Sequence, residues 1–360
     1  MAKKKETVAT ENFELDEKDI LRDLAENVNK ALKSNSIMVG DACGDESVPY
    51  WVLTGIPQLD YAVGGYRHPG FPGARITEIF GGESTGKSTL SVWLMKQSME
   101  QLGAIACYQD AERVLTDEII KGTGINMNKV LREQPDTIEE VFNSQEALLD
   151  ILKEKYPDKP VSIILDSIAA CSTKAEIEGD MESQQMGGLA RYMGKGLRKL
   201  KKPITDSKAL SIWVNQTREK LGVVFGDNTT TSGGKAMAFF ASVRIKLRKK
   251  ETLKKSGSSE PYGCKIEASI IKNKVAKPMC KAEYDILFIN DEKGSYPILD
   301  VEGAILDWCK DHGIIEGSVG RYEINGKKLY KDAARKELKD NPELFKELKE
   351  KAYSVSDGDE

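Results

Sequence analysis

The sequence predicts an α/β fold with a mostly parallel, buried β-sheet. Two observations lead there. Six strand-like runs, 104–109, 161–165, 210–214, 242–247, 265–271 and 282–289, are apolar enough for a covered sheet, and helical patterns at 88–102, 116–122, 138–155 and 187–202 separate the earlier ones. The second observation is Gly81-Gly82-Glu83-Ser84-Thr85-Gly86-Lys87-Ser88-Thr89, a G-x-x-x-x-G-K-S run between the strand-like 75–80 and the start of a helix. The last strand-like runs follow one another without helices, so the sheet is expected to turn antiparallel toward its end.

Taken in order, residues 1–12 are polar and read as unstructured. Residues 16–34 carry Ile20, Leu24, Val28 and Leu32 on one helical face, with Asp16 as a candidate cap. That face suits packing on the chain's own core or on a neighbouring chain, and the pattern leaves both open. A linker spans 39–50. Residues 1–50 therefore form an N-terminal segment, 51–290 the α/β core, and 291–360 a small α+β domain with a short acidic end. In that last part 301–312 is helical, 321–330 is a hairpin with an Asn325-Gly326 turn, and 332–352 is a charged helix broken near Asn341-Pro342.

Composition narrows the class. The 360 residues are 40% hydrophobic and 31% charged, as in an ordinary soluble protein. No apolar run approaches the ~20 residues of a membrane-spanning helix, and the lysine-rich start lacks the apolar core of a secretory signal. The six cysteines lie far apart with no C-x-x-C pair, which fits reduced thiols in a cytoplasm and argues against zinc. With two histidines, a histidine-based metal site is not expected. Net charge is −4, so affinity for nucleic acid must come from local basic patches.

The glycine-rich run carries the first chemistry. Gly81, Gly82 and Gly86 let backbone N–H groups of residues 81–89 turn toward phosphate oxygens, and the helix N-terminus adds partial positive charge. Lys87 reaches β- and γ-phosphates in such a loop, and the Ser88 hydroxyl ligates Mg²⁺. Val161–Leu165 ends in Asp166, the second metal-holding position expected at the strand end beside the loop. Strand 104–109 is followed by Asp110-Ala111-Glu112, which puts carboxylates beside the nucleotide. Glu112 is the first candidate to position or activate water, and Glu83 the second. Asn215-Gln216 follows strand 210–214, where an amide can sense a γ-phosphate and pass that state to the next loop, 217–234.

Together these residues resemble the bacterial RecA recombinase family over about 36–290, and weakly on to about 348. The glycine-rich run is close to that family's own, with Gly82 where the family has proline. Gln134-Pro135-Asp136-Thr137, Lys174 to Gly179, Asn215-Gln216, Thr230 to Gly234, Phe240 to Arg244 and Lys272-Asn273-Lys274 resemble further family stretches in the same order. The resemblance implies a RecA-like P-loop ATPase core that uses ATP and Mg²⁺, an N-terminal helical polymerisation segment, and a helical homo-oligomeric filament on single-stranded DNA that pairs with homologous double-stranded DNA. It implies two DNA-binding loops. The first is 178–187, with Met186 at an inserting position beside Gly187 and Gly188. The second is 217–234, with Leu221 inserting and Gly233 and Gly234 at its end. Arg191, Arg198, Arg218 and Lys220 match backbone-contacting positions, which suits sequence-independent binding. Glu112 matches the water-activating glutamate and Gln216 the γ-phosphate sensor. Lys272 and Lys274 match lysines that reach ATP on the adjacent subunit.

The chain also departs from the family. Ile119 stands where a tyrosine stacks on adenine, Thr116 stands for a nearby aspartate, Ala238 for an interface lysine, and Gln184-Gln185 for a histidine. These mark a divergent member, of a kind that phages or plasmids carry. The expected activity is DNA-dependent ATP hydrolysis driving strand exchange. Two other readings remain: a hexameric RecA-like DNA motor, and an ATP-gated DNA filament that signals by promoting self-cleavage of a repressor.

Overall fold

The structure is a computed structural model and describes residues 17–33, 37, 39, 48–179, 187–219, 229–255, 257–292 and 294–355. Two units divide between Ser47 and Val48. In the first, helix α1 (Glu17–Leu32) carries Ile20, Leu24, Val28 and Leu32 exposed, as the four-residue spacing predicts for one face. The Asn29 side chain brackets the backbone of Ile37, donating to its carbonyl and accepting from its N–H. The candidate cap Asp16 and residues 1–12 lie outside the described residues.

The second unit begins with β1 (Trp51–Val52), α2 (Pro57–Gly64), β2 (Phe71–Pro72), β3 (Arg75–Gly81), α3 (Lys87–Leu102), β4 (Ile105–Asp110), α4 (Asp117–Thr123), β5 (Val130–Glu133), α5 (Ile138–Lys155) and β6 (Val161–Asp166). There follow α6 (Lys174–Glu178), α7 (Gly188–Asp206), β7 (Leu210–Glu219), β8 (Thr229–Thr231), α8 (Ala236–Phe240), β9 (Val243–Lys254), β10 (Pro261–Asn273), β11 (Lys281–Asp291) and β12 (Gly294–Leu299). The C-terminal part comprises α9 (Val301–Asp311), β13 (Gly317–Ser318), β14 (Arg321–Ile324), β15 (Lys327–Tyr330), α10 (Lys331–Asp340) and α11 (Pro342–Ala352).

The main sheet runs β12-β11-β10-β9-β3-β7-β6-β4-β5, with β8 paired to β7. From β9 through β5 every pairing on that path is parallel, and from β9 to β12 every pairing is antiparallel. The expected change of sense toward the end of the sheet is therefore present. Alternation along the strands feeds two apolar layers. Ala106 and Tyr108 of β4 face one layer with α2 and α3, while Cys107 between them faces the other with α5 and α7. Helix α3 starts and stops at left-handed glycines, Gly86 and Gly103, and α5 opens on a capping box between Thr137 and Glu140.

Several elements differ from the sequence expectation. Strand β7 runs on to Glu219, because Thr217–Glu219 pairs antiparallel with Thr229–Thr231. The two ends of the run read as one loop are thus a ribbon. Strand β5 went unread because four residues with an exposed Leu131 show no alternation to follow. Strand β12 holds Pro297, which only an edge strand accepts readily, and it carries the main sheet past residue 290. Helices α2, α6 and α8 have five to eight residues, too few for a periodicity to register.

The C-terminal elements form their own apolar cluster around Trp308, Tyr322 and Leu338, joined by Tyr61 of α2. The hairpin turn has positive φ at both Asn325 and Gly326, as an Asn-Gly turn requires. A buried ion cluster ties this part to the sheet. The Arg335 guanidinium of α10 donates to both Asp300 oxygens at 3.0 and 2.9 Å, and lies 3.6 Å from Asp285 of β11. Lys265 and Lys331 also meet Asp285, at 2.9 and 3.2 Å. Burial pushes the Asp285 carboxyl up, but the two lysines outweigh it and hold the group below the usual range.

Removing Arg335 leaves Asp300 and Asp285 buried without their guanidinium. Arg335→Ala is expected to cost about 3–5 kcal/mol in urea unfolding at pH 7. Asp285 has a depressed folded pKa, so its contribution is present above its unfolded value near ~3.9 and is lost as pH falls through the folded value. That depression comes from Lys265 and Lys331, which Arg335→Ala leaves in place, so this part of the pH dependence should appear in both proteins. An unchanged urea midpoint at pH 7 would show that the cluster does not hold the domain in place.

Candidate nucleotide site and nucleic-acid segments

The glycine-rich loop turns from the end of β3, inside the sheet, into α3. Its glycines are fixed by what surrounds them. A Cβ on Gly81 would stand 2.3 Å from the Leu247 carbonyl oxygen of β9. Gly86 has φ +79, and a Cβ there would stand 2.3 Å from Ile286 Cδ1 of β11. Gly82 is exposed, and a Cβ added there would meet nothing within 4 Å. The buried Lys87 ammonium folds back to donate to the Gly82 carbonyl at 2.7 Å, and Thr85 Oγ1 donates to the same oxygen at 2.9 Å. Burial pulls the Lys87 pKa down, and Asp166, Glu112 and Glu83 oppose that pull.

Parallel register brings the carboxylates to this loop. Gly81 of β3 pairs with Gln216 of β7, and Asp110 of β4 pairs with Asp166 of β6. Asp166 is 1% exposed; its Oδ2 accepts from the Tyr108 hydroxyl at 2.9 Å, and Ser88 also bonds to it. Its Oδ1 has no partner. Burial raises Asp166 to about 6, against the hydrogen bonds from Ser88 and Tyr108. The Glu112 side chain accepts from Ser167 Oγ at 2.7 Å and from Gln216 Nε2 at 3.0 Å, and its backbone N–H donates to the Asp166 carbonyl. Asp110, fully buried, accepts from Arg132 at 2.7 Å and from the Val114 N–H at 2.9 Å. Glu83 is exposed on the loop.

Lys87, Ser88, Asp110, Glu112, Asp166 and Gln216 are thus gathered around one loop. Lys272 and Lys274 lie elsewhere. Lys272, at the end of β10, donates to the carbonyls of Ala238 and Phe239 at 2.7 and 3.0 Å. Burial lowers its pKa to about 8, with Lys274 and Arg244 adding repulsion.

Of the nucleic-acid candidates, Met186, Lys220 and Leu221 lie outside the described residues. Gly187 (φ +87) caps α7 and Gly188 begins it; Arg191 and Arg198 are exposed, seven apart on that helix. The Arg218 backbone pairs with Thr230 in the β7–β8 ribbon. Gly233 and Gly234, both at positive φ, lie against Met193 and Ala190 of α7; added Cβ atoms would meet those side chains at 3.0 and 2.9 Å. The end of the second candidate segment therefore packs on the helix that opens after the first. On the expected adenine side, Thr116 accepts from the Ile119 N–H and caps α4, while Gly122 lies against the Pro297 carbonyl of β12.

Sequence reasoning missed four residues here. Glu78 is buried in β3, paired with Arg244 and bonded by Asn215. A charge inside the apolar run 75–80 was its signal. Ser167, which holds Glu112, adjoins Asp166 and was readable from that position. Tyr108 and Arg132 had no signal, since only the strand pairing shows what they face.

A family model described as the RecA N-terminal domain matches residues 19–292. The chain is 36% identical over 346 residues to the protein named RecA of Frankia alni, covering 94% of this chain and 92% of that one. It is 38% identical over 295 residues to that of Leptospira biflexa, covering 81% and 71%. To that of an Arthrobacter species it is 37% identical over 330 residues, covering 89% and 86%.

The packing around the loop gives a contrast between adjacent glycines. Gly81→Ala forces a Cβ onto a backbone carbonyl that cannot swing away, and is expected to cost about 1–3 kcal/mol and to impair binding of a fluorescent ATP analogue. Gly82→Ala meets open space and should stay within about 0.5 kcal/mol of wild type. Equal behaviour of the two variants in urea melts and nucleotide titrations would contradict the packing described.

Proposed function

The chain belongs to the RecA family, and from that premise we infer how this ATP-dependent homologous recombinase works. The observation that carries the reading is the position of Gln216. Its amide holds Glu112 beside the phosphate loop, and its own strand continues into the β7–β8 ribbon toward residues 220–228. Nucleotide state and the DNA-facing segment therefore share one strand.

We assign ATP to the loop 81–89. Backbone amides and Lys87 receive the phosphates, with Asp110 and Glu112 beside them. Ser88 and Asp166 present only oxygen donors, and the unpartnered Asp166 Oδ1 suits a hard divalent ion, so they would hold Mg²⁺. When bound, the ion neutralises charge on the β- and γ-phosphates. Glu112, fixed by Ser167 and Gln216, orients water and takes its proton; Glu83, exposed on the loop, is the alternative for that role. Gln216 senses the γ-phosphate. Arg191, Arg198, Arg218 and Lys220 contact the phosphates of single-stranded DNA, with Gly187, Gly188, Gly233 and Gly234 allowing close backbone approach, and Met186 and Leu221 inserting between bases. Homologous duplex DNA is the second partner, and we assign the protein to the cytoplasm, which its six widely spaced cysteines suit as reduced thiols.

The assembly is a helical filament of identical chains. Residues 1–50 serve it through the apolar face of α1, 51–290 form the ATPase and DNA-binding core with β12 completing its sheet, and 291–360 form the small C-terminal domain. Lys272 and Lys274 complete the ATP site of the adjacent subunit, where cations stabilise charge on the transferring phosphoryl group.

Glu112→Gln should keep nucleotide binding and slow DNA-stimulated hydrolysis ~10²-fold or more. Turnover near wild type would move the role to Glu83 or to neither. For the lysines, chains carrying Lys272→Ala and Lys274→Ala are mixed with Lys87→Ala chains. Each parent should lack DNA-dependent ATPase activity. At junctions where the first supplies the phosphate loop and the second the lysines, a complete site forms and activity returns. Co-assembly without any recovery would show that the lysines act within their own subunit.

A further inference from the structure

The loop that carries Glu112 is held by Arg132, to which nothing above gives a part in the reaction. Asp110, the last residue of β4, is fully buried, and the cation on it is Arg132 of β5, at 2.7 Å. The other Asp110 oxygen accepts from the Val114 N–H at 2.9 Å, closing a turn over 110–114 with Glu112 at its centre. Arg113 within this turn takes φ +58 and pairs with Asp136 at 3.0 Å, beyond the end of β5. The turn is thus tied to the β5 side by two arginine–carboxylate pairs. Only the Asp110–Arg132 pair has a buried carboxylate; the Arg113 and Asp136 side chains are more than half exposed, where such pairs hold weakly.

We propose that Arg132 is a positioning residue for ATP hydrolysis: by pairing with buried Asp110 it fixes the 110–114 turn, and with it the Glu112 carboxylate, at the phosphate loop. The chemistry is one of charge and placement. Asp110 stands opposite Asp166 in the β4–β6 register, and Glu112 follows two residues later, so three acids crowd one side of the site. Without a cation on Asp110, its buried charge must find water or another partner, and the turn is what moves. Glu112 is anchored on its far side by Ser167 and Gln216, and at its backbone by the Asp166 carbonyl. A shift of the turn strains those bonds and displaces the carboxylate from the attacking water. Displacement by about 1 Å is enough to cost up to ~10²-fold in rate. Lys87 and Ser88 open helix α3, away from this turn in the chain, so nucleotide binding should persist.

This rests on the assignment of Glu112 to water activation, so the test carries that variant beside the others. Wild type, Arg132→Ala, Arg132→Lys and Glu112→Gln are compared for DNA-stimulated kcat and KM for ATP, and for thermal melting. Arg132→Ala should lower kcat about tenfold or more with KM within about twofold. Arg132→Lys, which keeps the charge, should recover most of the loss. If Glu112→Gln is slow but Arg132→Ala turns over at the wild-type rate, the positioning role is wrong and the assignment of Glu112 stands. If Glu112→Gln is itself unimpaired, that assignment fails, whatever the arginine variants do. A loss in Arg132→Ala that Arg132→Lys shares in full, or that follows a lowered melting temperature with KM rising in step, would mean the pair only supports the fold, and would overturn the proposal.

Discussion

The site depends on a carboxylate kept where water is scarce. Asp166 is 1% exposed at the end of a strand buried along its whole length. Burial alone disfavours its charge, and the hydroxyls of Tyr108 and Ser88 answer part of that penalty. Its other oxygen, Oδ1, has no partner, whereas the buried Lys87 ammonium is held by the Gly82 carbonyl at 2.7 Å and lies near Asp166, Glu112 and Glu83. The parallel register of β3, β7, β6 and β4 makes the arrangement possible, because it delivers four strand ends to one edge of the sheet.

From that edge the connections run outward along covalent chain. Asn215 bonds Glu78 of β3 and the Ser232 carbonyl after β8, while the next residue, Gln216, bonds Glu112. Two adjacent amides therefore join the central strand, the turn that carries Glu112 and the far end of the β7–β8 ribbon. Any displacement of Gln216 would therefore act on the ribbon directly, along its own strand. Switching segments ordered by a γ-phosphate work by the same logic.

The parts legible in the sequence were those carried by local chemistry. The glycine-rich loop, the acid after an apolar strand and the Asn-Gly turn each have a short-range physical cause, and each stands where the spacing put it. Helix α5 could be read end to end because its capping box and its apolar face agree. Tyr108 and Arg132 were not legible, since their partners are set by strands paired across the sheet, and no local pattern encodes a register. The ribbon at 217–231 escaped for a related reason. Hydroxyl-rich residues such as Thr229, Thr230 and Thr231 suit a loop or an edge strand equally, and only pairing with β7 decides between them.

The stretch from Thr229 to Arg244 shows how much a few residues can connect. It begins in the ribbon, lays Gly233 and Gly234 against α7, and forms α8. The carbonyls of Ala238 and Phe239 near the end of α8 hold the Lys272 ammonium, and Arg244 beyond them pairs with Glu78 beneath the phosphate loop. Phe239 itself stays 72% exposed. The last carbonyls of a helix carry partial negative charge and otherwise lack intrahelical donors, so an ammonium there satisfies both itself and the helix end. Any movement of Lys272 away from these carbonyls would leave the end of α8 without its cation. Through Gly234 on α7 and Arg244 on β3, the short stretch that holds Lys272 thus touches both the helix bearing Arg191 and Arg198 and the strand that leads into the glycine-rich loop.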